Sequence, residues 1–164
     1  MMGAGKTSIG RQLAKRLQRR FVDVDHEIEA QTGVRIPTIF EIEGEAGFRE
    51  REAQTIEGLT VQEGLVLATG GGAVLRESNR KLLGASGVVI YLRVPPLTLF
   101  ERTRHDRNRP LLQVENPLKR IEELYAQRDP LYREIADITV DSGNCSVATL
   151  ARRIEEELNN KCAP

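Results

Sequence analysis

The opening stretch MMGAGKTSIG constrains this chain more than any other part of it. Gly3, Gly5, Lys6 and Thr7 match the end of the phosphate-binding loop G-x-x-x-x-G-K-[ST], whose first glycine would stand one position before Met1. Glycines let backbone N–H groups turn inward around phosphate oxygens, and the dipole of the helix that follows favours anions. Lys6 can then neutralise β- and γ-phosphates, and the Thr7 hydroxyl can hold Mg²⁺. Such a loop joins the carboxyl end of a parallel strand to a helix, and Ile9, Leu13 and Leu17 supply the apolar stripe of a helix over about 6–19. A nucleotide-binding α/β fold is the expectation.

The remaining pattern agrees. Apolar strands are expected at 21–25, 64–68, 87–94 and 137–140. Helical segments alternate with them: 27–57 with breaks at Gly33 and Gly44, 78–83, 96–104, 118–135 and a terminal helix bearing Val147, Leu150, Ala151, Ile154 and Leu158 on one stripe. Strands separated by helices imply right-handed crossovers and a parallel sheet covered on both faces. With 164 residues and no repeat or low-complexity linker, one domain is expected.

Charge excludes some partners. Lys plus Arg (24) balance Asp plus Glu (24), so no net field draws the chain to nucleic acid or anionic membrane. The basic residues are 19 Arg against 5 Lys, which favours small anionic ligands or else reflects genomic base composition. Cys145 and Cys162 build no disulfide framework, and His26 and His105 are isolated. No apolar run approaches the ~20 residues of a membrane span, and a signal-peptide core is lacking. A reducing, cytoplasmic location is expected.

Four further stretches bear on chemistry. In FVDVD (21–25), Asp23 and Asp25 share a face if extended, one for Mg²⁺ or its water and one for an acceptor hydroxyl; Asp25 would alternatively cap a helix. In GEAGFRERE (44–52), Arg49 can take a carboxylate with Glu52 orienting it at i,i+3, or both can lie on a solvated face. Gly70, Gly71 and Gly72 follow a strand, where glycines let backbone approach a ligand or simply loosen a loop. RTRHDRNRP (102–110) carries four arginines and suits a basic lid over a migrating phosphoryl group, or a solvated loop.

Taken together and in order, GAGKTSIG, DVDHEIE, IFEIEGEAGFRERE, LATGGGAV, RNRPLL and RDPLY resemble the shikimate kinase family over essentially the whole chain. The resemblance implies a P-loop kinase domain over 1–164 with a five-stranded parallel sheet in the order 2-3-1-4-5, a substrate-binding region about 25–57 and a lid about 104–117. It implies ATP-dependent phosphorylation of the 3-hydroxyl of shikimate, in the route to chorismate and the aromatic amino acids, by a monomer. By the same resemblance, Gly3, Ala4, Gly5, Lys6, Thr7, Ser8, Arg102 and Arg109 bind the nucleotide, while Thr7 and Asp23 serve the metal. Arg49 and Arg128 grip the shikimate carboxylate beside Gly70, Gly71 and Gly72, and Asp25 bonds the hydroxyls. Lys6, Asp25 and Arg109 are the catalytic set, and the loop near 141–146 adjoins adenine. A gluconate-type kinase and a non-catalytic ATP- or shikimate-binding regulator are the alternatives. Because the loop's own strand is central in that sheet order, the natural protein is expected to extend upstream by roughly ten residues as an apolar strand ending in Gly.

Overall fold

The computed structural model describes residues 1–106, 110–143 and 145–162. Helix α1 (Lys6–Arg16) buries Ile9, Leu13 and Ala14 and packs on the terminal helix α7 (Val147–Cys162), to which Arg16 is ion-paired through Glu155. Strand β1 (Arg20–Asp23) follows and hands over to α2 (Val24–Thr32), which ends at Gly33 with φ 71°. Helix α3 (Ile36–Thr60) carries Pro37 in its first turn and kinks at Gly44, where φ is 68° and ψ −176°. Both expected helix breaks therefore fall on glycines in conformations that a side chain disfavours.

Strand β2 (Leu65–Ala68) leads into the glycine run, a 3-10 turn and α4 (Glu77–Ser86). Strand β3 (Ile90–Arg93) is followed by α5 (Pro96–Thr103), α6 (Pro117–Ile135), β4 (Ile138–Asp141) and α7. β1 pairs parallel with β2, Arg20 opposite Leu65 and Asp23 opposite Ala68; β3 pairs parallel with β4, Ile90 opposite Ile138. The strand expected at 87–94 is shorter, because 87–89 do not join a ladder, although Val89 N–H still bonds the Asp137 carboxylate.

Among the described residues the strands form two separate two-stranded sheets. Each has its own core: Val24, Ile28, Ile39, Phe48 and Ile56 beside β1–β2, and Leu13, Leu99, Ile121, Val140 and Ile154 beside β3–β4. Between the sheets lies a cavity of about 940 Å³ lined by Leu65, Val66 and Leu67 of β2, Ile90, Tyr91 and Leu92 of β3, and Leu13 and Leu17 of α1. Met1 stands at its wall and is itself buried. Among the described residues, no helix is long and apolar enough to cross a membrane.

Candidate active site

The site is built where loops leave the carboxyl ends of β1 and β2 and meet the start of α1. Gly5 caps α1 at φ 85°, in the left-handed region that favours glycine, and no side chain occupies the cap. The first-turn N–H groups of an 11-residue helix thus face the loop without a side-chain acceptor, the arrangement that holds an anion. Gly3 lies against α5, so closely that a Cβ there would come within 2.8 Å of Thr103 Cγ2. Lys6 Nζ donates to Met1 O at 2.7 Å, folding its charge back over the loop.

The Thr7 hydroxyl donates to Asp23 Oδ2 at 2.7 Å. Asp23 also caps α2, its Oδ1 accepting from Asp25 N–H at 3.1 Å. This corrects one expectation. Asp25 is neither extended nor the cap; β1 stops at Asp23, and Asp25 sits in the first turn of α2. The cap bond closes the helix two residues earlier than an extended DVD would allow. Both acids still reach the site, Asp23 at the P-loop and Asp25 at the glycine run.

Four charged side chains converge on Gly70, Gly71 and Gly72. A Cβ on Gly70 would collide with Glu52 Oε1 and lie 3.3 Å from Asp25 Oδ1. On Gly72 it would overlap the Arg49 guanidinium, and on Gly71 it would stand 3.4 Å from Arg128 Nη1 and 3.3 Å from Met2 N. The glycines are there because charged groups occupy the space that side chains would take.

Arg49 bonds Glu52 Oε2 through Nη1 at 2.8 Å and Glu45 Oε1 through Nη2 at 3.0 Å. Glu52 is 0% exposed and Arg128 1%. Among the described residues, the buried side-chain atoms lacking a hydrogen-bond partner include Asp25 Oδ1, Glu52 Oε1 and Arg128 Nε, all within this cluster. Orphaned buried polar atoms cost free energy and commonly mark where a ligand binds.

Burial dominates the titration here. It pushes the Asp25 carboxyl above its ordinary range, with Asp23 adding to the rise and Lys6 and Arg49 opposing it. Burial also raises Glu52 despite its ion pair with Arg49, and lowers Arg128. For Arg49, burial alone would lower the guanidinium, but Glu52 and Glu45 outweigh it and the net direction is upward. The cluster therefore couples two acids and two arginines in a desolvated space, with Lys6 near enough to act on Asp25.

On the other flank, Arg102 reaches from α5 to Ser142 O at 3.2 Å, Gly143 O at 2.6 Å and Gly3 O at 3.4 Å. It ties the P-loop to the loop after β4, which sequence reasoning placed beside adenine. Arg109, expected in the lid, lies outside the described residues. The remaining expected residues group into two adjoining sets, Gly3 to Ser8 with Asp23 and Arg102, and Asp25, Arg49, Gly70 to Gly72 and Arg128.

Sequence reasoning left Glu52 as a helper and overlooked Tyr132. Tyr132 O–H donates to Gly71 O, and its spacing from Arg128 (i,i+4) was the available signal. The metal expectation fits the donors present. A hydroxyl and a carboxylate 2.7 Å apart suit Mg²⁺, which takes few protein oxygens and completes its shell with phosphate and water. No cluster of three or more acidic, His or Cys ligands occurs among the described residues.

The chain is similar to known proteins over nearly its whole length. The shikimate kinase family model matches residues 2–159. The shikimate kinase of Aromatoleum aromaticum (strain DSM 19018 / LMG 30748 / EbN1) is 64% identical over 160 residues, 98% of this chain and 91% of the relative. That of Dechloromonas aromatica (strain RCB) is 59% identical over 159 residues, 97% of this chain and 87% of the relative. Among solved structures, a shikimate kinase from Acinetobacter baumannii in complex with shikimate superposes with a TM-score of 0.97 at 48% identity, covering 99% of this chain and 91% of that one. One from Aquifex aeolicus gives 0.87 at 31% identity, covering 100% of this chain and 96% of that one.

Proposed function

The chain belongs to the shikimate kinase family, and from that premise we propose how its own residues divide the phosphorylation of shikimate by ATP. The observation that carries the reading is the buried cluster around Gly70 to Gly72, whose orphaned atoms are two carboxylate oxygens and one guanidinium nitrogen. Shikimate is a small ring with one carboxylate and three hydroxyls. Its carboxylate pairs with Arg128 and Arg49, and Asp25 Oδ1 accepts from a ring hydroxyl. The substrate thereby gives Asp25 Oδ1 a donor and brings an acceptor to Arg128, whose Nε lacks one.

Transfer then needs little covalent chemistry from the protein. The 3-hydroxyl oxygen of shikimate bonds to the γ-phosphorus, the bond from that phosphorus to the β,γ-bridging oxygen breaks, and ADP departs. The hydroxyl proton passes to Asp25, whose raised affinity for protons suits the task. Orientation by Asp25 contributes as well, since nucleophile deprotonation is late in a loose transition state. Lys6 and the first-turn N–H groups of α1 take up charge on the phosphates, joined by Arg109 from the lid. Thr7 and Asp23 would hold Mg²⁺, which neutralises phosphate charge when bound. Arg102 and the 142–143 loop border the adenine.

We further infer one P-loop kinase domain, with a substrate region about 25–57 and a lid about 104–117, acting as a cytoplasmic monomer. The apolar cavity supports a fifth parallel strand between β2 and β3, which completes the order 2-3-1-4-5 when that strand is counted first and β1 to β4 follow as 2 to 5. An apolar β-branched segment fused ahead of Met1 should then raise the melting temperature; an unchanged value counts against that sheet. Sedimentation velocity tests the monomer.

A coupled assay of ADP release tests the activity. Turnover is expected with shikimate and not with gluconate. Turnover with gluconate alone would favour the sugar-acid kinase, and binding without turnover the regulator.

A further inference from the structure

We propose that Tyr132 is a positioning residue for the acid substrate, setting the glycine run against Arg128 through one hydroxyl. The inference rests on the placement of shikimate between Arg49 and Arg128. Tyr132 lies one helical turn beyond Arg128 on α6, and its O–H donates to Gly71 O. Arg128 Nη1 lies beside the same glycine, 3.4 Å from where a Cβ on Gly71 would stand. One oxygen thus links the helix that carries the arginine to the loop that lines the ligand space.

Pinning Gly71 O has a geometric consequence. The peptide is planar and trans, so the Gly72 N–H is turned away from Tyr132. Gly72 is the residue whose Cβ space the Arg49 guanidinium occupies. A run of three glycines has no side chains with which to hold itself, and the hydroxyl supplies an external hold.

The ring is itself held. Tyr132 is 9% exposed and packs on Tyr91, with ring centroids 4.8 Å apart and planes tilted by 30°. Tyr91 O–H bonds Asp129 Oδ1 at 2.7 Å, and Asp129 is paired with Arg133 on the same helix. Pro130, between Arg128 and Tyr132, lacks the N–H that would bond the carbonyl of Ala126, so this turn leans more on tertiary contacts. Burial raises the Tyr132 phenol to about 12, so the hydroxyl remains a donor across the working pH range.

Steady-state kinetics of Tyr132→Phe test the role, because the ring and its packing are kept. The shikimate KM should rise about tenfold, the size of one lost hydrogen bond, with kcat and the ATP KM within about twofold. On an Arg128→Ala background the same substitution should change the shikimate KM by less than about twofold, as coupled residues do. Tyr91→Phe should leave the shikimate KM within about twofold, since its hydroxyl does not touch Gly71.

An unchanged shikimate KM in Tyr132→Phe overturns the proposal, as does an equal shift in the ATP KM and kcat, which marks a general structural role. Should Tyr132→Phe fail to fold, ¹³Cζ-tyrosine spectra of the wild type decide, with Tyr91→Phe and Tyr125→Phe assigning the three resonances by elimination. Shikimate should shift the Tyr132 resonance, and no shift overturns the proposal. Wild type inert toward shikimate would sink the functional reading instead, so the two failures are distinct.

Discussion

Glu43 and Glu52 lie on either side of the Gly44 kink in α3, and each is paired with an arginine, yet their carboxyls are shifted in opposite directions. Glu43 is held by both Nε and Nη2 of Arg51, at 2.8 and 2.6 Å, on the surface. Hydrogen bonding to Arg51 pulls its carboxyl below the ordinary value of 4.5. Glu52 bonds Arg49 at a similar 2.8 Å, but it is fully buried and burial lifts its carboxyl above that value. A salt bridge therefore does not define its own energetics; the solvent removed around it does. The surface pair is complete and local. The interior pair sits in a cluster with orphaned atoms on Glu52, Asp25 and Arg128, where the substrate is proposed to bind.

The largest effect expected of the interior set is on turnover. Asp25→Asn keeps shape but loses the anionic acceptor, so kcat should fall about a hundredfold with ATP affinity nearly intact. Stopped assays with nucleotide titrations check this, and an equal loss of ATP affinity would move Asp25 out of the acceptor site. Next, Arg49→Ala and Arg128→Ala should each weaken shikimate binding by ~2–3 kcal/mol, the range for charge-assisted hydrogen bonds. Calorimetry of the double variant should give less than the sum, because both hold one carboxylate; strict additivity would mean that they do not share a ligand.

A smaller effect sharpens the difference between the two glutamates. The folded protein binds the Glu52 proton more tightly than the unfolded chain does. Its contribution to stability is thus fully present below the ordinary value of 4.5 and is lost as pH rises through the raised value. For Glu43 the sign reverses: stability is present above 4.5 and is lost as pH falls through the lowered value. Denaturant midpoints between about pH 3 and 8 should show Glu52→Gln flattening the decline on the alkaline side and Glu43→Gln flattening the acid side. Identical profiles for the two variants would erase the distinction. The smallest expected effect is that of Arg51→Ala, which should leave kcat and both KM values unchanged, since an exposed pair is screened by water.

Much of the fold was legible because its signals are local. Ile9, Leu13 and Leu17 recur at helical spacing, and the breaks at Gly33 and Gly44 fall where the sequence lacks side chains. Asp25 was misplaced for a local reason of a different kind. DVD satisfies a strand pattern and a cap pattern equally, and only the bond from Asp25 N–H to Asp23 decides between them. The glycine run could be read as a ligand loop, and the resemblance set Arg49 and Arg128 beside it, but that Glu52 and Asp25 also press on Gly70 was not legible, because they come from two different helices.

By itself the sequence determined the nucleotide loop, the alternation of strands and helices and membership of the family, because these rest on spacing within a few turns of chain. Tertiary structure alone decided that Glu52 is buried, that its proton affinity rises while that of Glu43 falls, and that Tyr132 holds Gly71 across 61 positions of sequence. The reason is physical: spacing is a property of neighbours along the chain, whereas desolvation is set by every segment that folds over a group.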